Sequence, residues 1–99
     1  MKKILLIDDS DTYTWCLQKY LQHRGYPVKT ACTLKEARTA IQEEMPLVVC
    51  CDLDLPDGSG MDFLDEVRAA DKELPFILLY RFPIGGCFKN IGGIFYGNR

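Results

Sequence analysis

The sequence predicts an α/β fold, a doubly wound parallel sheet, and three observations carry that prediction. Its apolar runs are short and unbroken, Ile4-Leu5-Leu6-Ile7 and Leu47-Val48-Val49-Cys50-Cys51. Runs of that length without alternation belong to strands buried on both faces, as parallel sheets require. Strand-like runs also alternate with helix-periodic segments through short connections, in the order β-α-β-α-β-α-β, which calls for right-handed crossovers and helices on both faces. Finally, both apolar runs stop at acid: the first at Asp8-Asp9, the second at Asp52.

Residues 3–7 read as the first strand. Ser10 or Asp11 can cap a following helix with Tyr13, Leu17, Tyr20 and Leu21 at helical spacing. Gly25 and Pro27 stop it. Residues 28–31 form a short second strand. Thr33-Leu34-Lys35-Glu36 has the form of a capping box, opening a helix with Leu34, Ala37, Ala40 and Ile41 on one face. Met45-Pro46 ends that helix, and residues 47–51 give the third strand. Pro56-Asp57-Gly58-Ser59-Gly60 carries turn chemistry. Ser59 caps a third helix over 61–71 with Phe63, Leu64 and Val67 inward, and Pro75 introduces a fourth strand over 76–80.

The composition changes after Arg81. Residues 82–99 hold five glycines, several aromatics and neither Asp nor Glu. No helix is legible there, and Ile94-Phe95-Tyr96 reads as a short strand. The expected organisation is therefore a domain over 1–81 and an atypical Gly- and aromatic-rich tail over 82–99.

Ninety-nine residues make one domain, burying roughly 60–65% of the unfolded surface. A net charge of −2 argues against a nucleic-acid surface. No apolar run approaches the roughly 20 residues of a membrane span, and the N-terminal apolar stretch is too short for a signal peptide. The five cysteines are odd in number and show no C-x-x-C spacing. They read as reduced thiols packing as small hydrophobes in a cytoplasmic protein.

Ligands of parallel sheets bind beyond the carboxyl ends of the strands. Asp8, Asp9 and Asp52 would meet there, and crowded carboxylates need a proton or a cation between them. A hard divalent ion with oxygen ligands, Mg²⁺, fits best. The competing reading makes these acids helix caps, and Asp54 and Asp57 plain turn residues.

Taken together, Ile4-Leu5-Leu6-Ile7-Asp8-Asp9-Ser10, the stretch Val48 to Gly60 with Asp52-Leu53-Asp54-Leu55-Pro56-Asp57-Gly58, and Leu74-Pro75 before the fourth strand resemble the receiver domain of two-component response regulators over residues 1–80. The resemblance implies a flavodoxin-like (CheY-like) sheet of strand order 2-1-3-4, with the usual fifth strand and last helices missing or replaced. It implies that Asp52 accepts a phosphoryl group from a sensor histidine kinase or phosphotransfer protein. It makes Asp9 a direct Mg²⁺ ligand, Asp8 its companion through water, and the Asp54 backbone carbonyl a further ligand.

The chain departs from the family pattern at Tyr80, where a Ser or Thr is usual, and at Arg81, where a small residue is usual. Eighteen residues remain after Arg81. They are too few for the family's remaining helix, strand and helix, and Lys89 falls too close to serve as the fifth-strand lysine. Two other readings follow. One is a pseudo-receiver acting as an interaction module without phosphorylation. The other takes Asp52-Leu53-Asp54 as the motif of a haloacid-dehalogenase-type phosphatase. An apolar fourth strand left at the sheet edge would invite pairing, met either by a replacement strand from the tail or by a homodimer through that edge or through the tail.

Overall fold

The two acid-ended runs lie side by side. In a computed structural model of the chain, which describes residues 2–84 and 87–95 with side chains through residue 79, β1 (Ile4–Ile7) and β3 (Val48–Asp52) pair in parallel from Ile4 against Val48 to Ile7 against Cys51. On the other side of β1 lies β2 (Val28–Ala31), also parallel. The helices α1 (Asp11–His23), α2 (Leu34–Glu43) and α3 (Gly60–Ala70) make the crossovers. A small antiparallel hairpin of β4 (Asp54–Leu55) and β5 (Gly58–Ser59) follows β3. The long strands β6 (Phe76–Ile84) and β7 (Cys87–Phe95) complete a five-stranded sheet of order β2-β1-β3-β6-β7. Its first four strands give the expected order.

Local chemistry explains the helix ends. Ser10 caps α1, its hydroxyl accepting from the Tyr13 N–H at 3.3 Å. Past the other end of α1, Gly25 takes φ +92°. The Gly25 N–H reaches the Gln22 carbonyl and the Tyr26 N–H the Leu21 carbonyl, a left-handed close that glycine adopts without steric cost. Thr33 caps α2 by accepting from Glu36, whose carboxylate in turn accepts from the Cys32 N–H at 2.8 Å. Ser59 caps α3.

Right-handed crossovers put α1 on one face of the sheet and α2 and α3 on the other. The main core forms on the α2/α3 side: Leu5, Ile7, Val49, Cys51, Phe76 and Leu78 pack against Leu34, Ala37, Phe63, Leu64 and Val67. Phe63 and Phe76 meet at 6.1 Å between ring centroids. Over them, an Arg38–Glu66 pair joins α2 to α3 at 2.7 and 3.0 Å, holding the Glu66 carboxyl below its usual range. That pair is exposed, so its worth is under about 1 kcal/mol.

The α1 face is less covered. Ile4 and Leu6 are buried there, but Val48, Cys50, Ile77 and Leu79 are only half-buried. No residue of α1 is buried: Tyr13, Leu17 and Leu21 are half-buried, and Tyr20 is 57% exposed. Of the four apolar positions read at helical spacing, Tyr20 is thus the one that lies outside the half-buried stripe. Among the described residues α1 is the single helix on this face, and its flank stays open to solvent.

The tail gives one of the two expected outcomes, a replacement strand beside the fourth, but both strands are longer than read. The fourth strand of the sequence reading is β6, and it runs on to Ile84 rather than stopping at Tyr80. It pairs antiparallel with β7 from Phe76 against Phe95 to Ile84 against Cys87. Ile94 and Phe95 fall in β7 as read, within a much longer strand, and Tyr96 lies outside the described residues. The edge of the fourth strand is thus covered, which removes it as a surface for a second copy and leaves the outer edge of β7.

The expectation that the cysteines pack as small hydrophobes holds for Cys51, which is fully buried, and fails for Cys16 and Cys32, which are exposed. Burial pushes the Cys51 thiol up to about 12 and the Cys50 thiol up to about 11. Brief alkylation of the native protein near pH 8, followed by peptide mass spectrometry, should label Cys16 and Cys32 and leave Cys51 unmodified until denaturant is added. Early labelling of Cys51 would contradict this packing.

Candidate metal and phosphoryl site

Register brings the acids together. Ile7 stands opposite Cys51, so the next residues, Asp8 and Asp52, leave neighbouring strands at the same level, where strands lie about 4.8 Å apart. Asp9 follows at the rim. Carboxylate oxygens of Asp8, Asp9 and Asp52 all lie within 4.8 Å of one another. Asp8 is 4% and Asp52 8% exposed, while Asp9 is exposed.

Backbone donors aim two of these side chains. The Ser10 N–H donates to Asp8 Oδ1 at 2.9 Å, and the Leu53 N–H donates to Asp52 Oδ1 at 2.9 Å. The Asp8 N–H reaches the Ala31 carbonyl of β2, and the Leu53 N–H also lies 3.0 Å from the Leu79 carbonyl of β6. Four strands therefore lock the floor of the site. Gly60 closes it from the side: its N–H donates to the Leu53 carbonyl at 2.7 Å, and a Cβ there would collide with the carbonyl oxygen of Asp52. Glycine is required by that close approach, and α3 starts directly beneath the acid.

The donor set suits a small hard cation. Magnesium binds oxygen at about 2.0–2.1 Å in an octahedron, which places opposite ligands about 4.2 Å apart. Three carboxylate oxygens within 4.8 Å need little adjustment to reach that geometry, and the exposed side of Asp9 leaves room for water ligands.

Asp54 stands apart from this cluster. It pairs with Ser59 in the hairpin, and its side chain is exposed. Asp57, read from the sequence as a turn residue, reaches across to α2: the N–H groups of Leu34 and Lys35 donate to its two oxygens at 2.8 and 3.1 Å. These partners lie more than twenty positions earlier in the chain, so no local spacing could reveal the contact. The side chains of Tyr80, Arg81 and Lys89 lie outside the described residues.

Beside the acids opens a cavity of about 270 Å³ lined by Asp8, Asp11, Thr14, Trp15, Gln18, Thr30 and Cys32. The Cys32 thiol is raised there, first by local desolvation and then by Glu36, Asp11, Asp9 and Asp8. The negative field of the cluster thus extends over the start of α1, where Trp15 is 60% exposed.

Residues 4–81 match the model of the response regulator receiver domain. The chain belongs to the response regulator receiver domain family. Relatives agree with the match. The photosynthetic apparatus regulatory protein RegA of Cereibacter sphaeroides is 28% identical over 78 residues, covering 79% of this chain. The beryllofluoride-activated receiver domain dimer of NtrC4 superposes with a TM-score of 0.74 at 35% identity, covering 79% of this chain and 64% of that one. The response regulator TrrA of Thermotoga maritima, solved with Mg²⁺ and beryllofluoride, gives a TM-score of 0.76 at 32% identity, covering 81% of this chain and 70% of that one. The chain spans 42% of the length of RegA. Among the described residues of this receiver, no helix is long and apolar enough to cross a membrane.

Gly60→Ala should lower the stability of the receiver by about 1–3 kcal/mol, since the new methyl must push α3 or Asp52 aside. Urea unfolding of the two proteins checks this. An unchanged midpoint would contradict the close approach of Gly60 to Asp52.

Proposed function

We propose that this receiver accepts a phosphoryl group on Asp52 from a phosphohistidine donor, with Mg²⁺ held by Asp8, Asp9, Asp52 and the backbone carbonyl of Asp54. The observation that carries the proposal is the convergence of Asp8, Asp9 and Asp52 within 4.8 Å at the carboxyl end of the sheet.

The chemistry follows from the placement of Asp52. One of its oxygens accepts from the Leu53 N–H, and a carboxylate oxygen of Asp52 attacks phosphorus in line with the leaving group. An oxygen–phosphorus bond forms as the nitrogen–phosphorus bond of the donor breaks. The departing imidazole takes a proton from solvent, and Asp52 becomes an acyl phosphate. When bound, Mg²⁺ would neutralise the charge gathering on the phosphoryl oxygens. The protein contributes orientation: four strands and the start of α3 fix the nucleophile before the donor arrives.

The partners this reading implies are a sensor histidine kinase or a phosphotransfer protein, in the cytoplasm. The start of α1 beside the cluster is the accessible approach to Asp52. A second copy of the chain pairing through the outer edge of β7 is part of the same proposal, in keeping with the dimer described for the NtrC4 receiver domain. A pseudo-receiver has no need of three converged carboxylates, and the family match to the receiver domain displaces the phosphatase reading. The chain's role is that of a signalling domain; any catalysis is limited to its own phosphorylation and dephosphorylation.

Incubation with acetyl phosphate and Mg²⁺ should add the mass of one phosphoryl group to the intact protein. Asp52→Ala should abolish the addition, and Asp9→Asn should raise the Mg²⁺ needed for half-maximal reaction by at least about tenfold. Undiminished phosphorylation of Asp52→Ala would overturn the assignment.

A further inference from the structure

α2 is capped twice, once from within and once from the loop that follows the acceptor strand. Thr33 and Glu36 form a local capping arrangement: the Thr33 hydroxyl takes the Glu36 N–H at 3.1 Å, and the Glu36 carboxylate takes the Cys32 N–H at 2.8 Å. The two N–H groups left over, those of Leu34 and Lys35, are taken by the carboxylate of Asp57. At an exposed helix start water could satisfy them, so helix formation alone does not demand a remote acid. A second contact lies beside the first. Gly58 sits at φ +156°, and a Cβ on it would stand 2.8 Å from Leu34 Cδ1. The turn of the hairpin is therefore pressed against the first residue of α2, and Leu34 is buried in the main core.

We infer that Asp57 is a positioning residue of the phosphoryl site, tying the 53–59 loop to α2 so that the loop's metal-binding backbone is fixed before the ion arrives. The inference rests on the phosphoacceptor reading above. The loop has three anchors. Its near end is held at Asp52 and by the Leu79 carbonyl, through the Leu53 N–H. Its far end is held by Gly60 on Leu53. Its outermost point is held by Asp57. Releasing Asp57 frees the hairpin tip while the acids of β1 and β3 stay in place. The cost should therefore fall on cation affinity and not on the reactivity of Asp52 once the cation is bound.

This separation gives the test. Trp15 lines the cavity beside Asp8, so its fluorescence can follow Mg²⁺ binding. Phosphorylation by acetyl phosphate is then measured as a function of Mg²⁺ concentration. Asp57→Ala should raise the Mg²⁺ concentration for half-saturation about fivefold, the worth of a helix-capping contact. The maximal rate at saturating Mg²⁺ should stay within about twofold. Asp57→Asn keeps one carbonyl acceptor and should fall between the two. Glu66→Gln breaks the α2–α3 ion pair without touching the loop, and should behave as wild type. If wild type responds to Mg²⁺ and Asp57→Ala matches it, the tie has no role in the site and this inference fails alone. Equal losses in Asp57→Ala and Glu66→Gln would trace the effect to α2 in general and also overturn it. If wild type itself neither binds Mg²⁺ nor accepts phosphate, the phosphoacceptor reading fails and this inference falls with it.

Discussion

Carboxylates packed together at the end of a buried sheet repel one another, and the rest of the structure is arranged around that repulsion. Asp8 and Asp52 are both nearly inaccessible and lie within 4.8 Å with Asp9 beside them. At the effective dielectric of a protein surface, two unit charges at that distance oppose each other by roughly 3–4 kcal/mol. A domain of this size has about 5–15 kcal/mol of total stability. A penalty on that scale must be offset. Backbone N–H groups from Ser10 and Leu53 offset part of it, and a divalent cation would supply the remainder. The parallel register of β1 and β3 leaves no alternative placement, because a one-residue slip would turn every buried side chain to the wrong face.

The scaffold holding this cluster is lopsided. The α2/α3 side carries a dense core from Leu5 to Leu78, and the hairpin after β3 is fastened to it through Asp57, Gly58 and Leu55. The α1 side is thinner, with Val48, Cys50, Ile77 and Leu79 only half-buried beneath a helix that buries nothing fully. The site sits where the two sides meet, between the start of α1 and the hairpin. The hairpin side is therefore tied down by hydrogen bonds to α2, and the α1 side is the more exposed of the two.

Much of this was legible in the chain itself. Unbroken apolar runs ending in acid identified β1 and β3, strand alternation with helix periodicity identified the crossovers, and the strand order came from the resemblance to receiver domains. The caps at Ser10, Thr33 and Ser59 were readable because their partners lie two to four residues away. What escaped the sequence depends on distance along the chain. Asp57 looked like an ordinary turn residue because its partners are Leu34 and Lys35. Tyr20 matched the helical stripe but fell outside it, since spacing cannot tell how much of a helix a thin face will cover. The long β7 was reduced in the reading to three residues because its glycines lower strand propensity.

The most direct measurement compares the unfolding free energy of wild type and Asp52→Asn, each in chelator and in Mg²⁺. Removing one charge from the cluster should make Asp52→Asn the more stable protein in chelator. Wild type should gain about 2.7 kcal/mol when Mg²⁺ reaches about one hundred times its dissociation constant, and Asp52→Asn should gain far less. A wild type that is already the more stable protein in chelator, and that gains no more from Mg²⁺ than the variant does, would contradict the electrostatic account of the site.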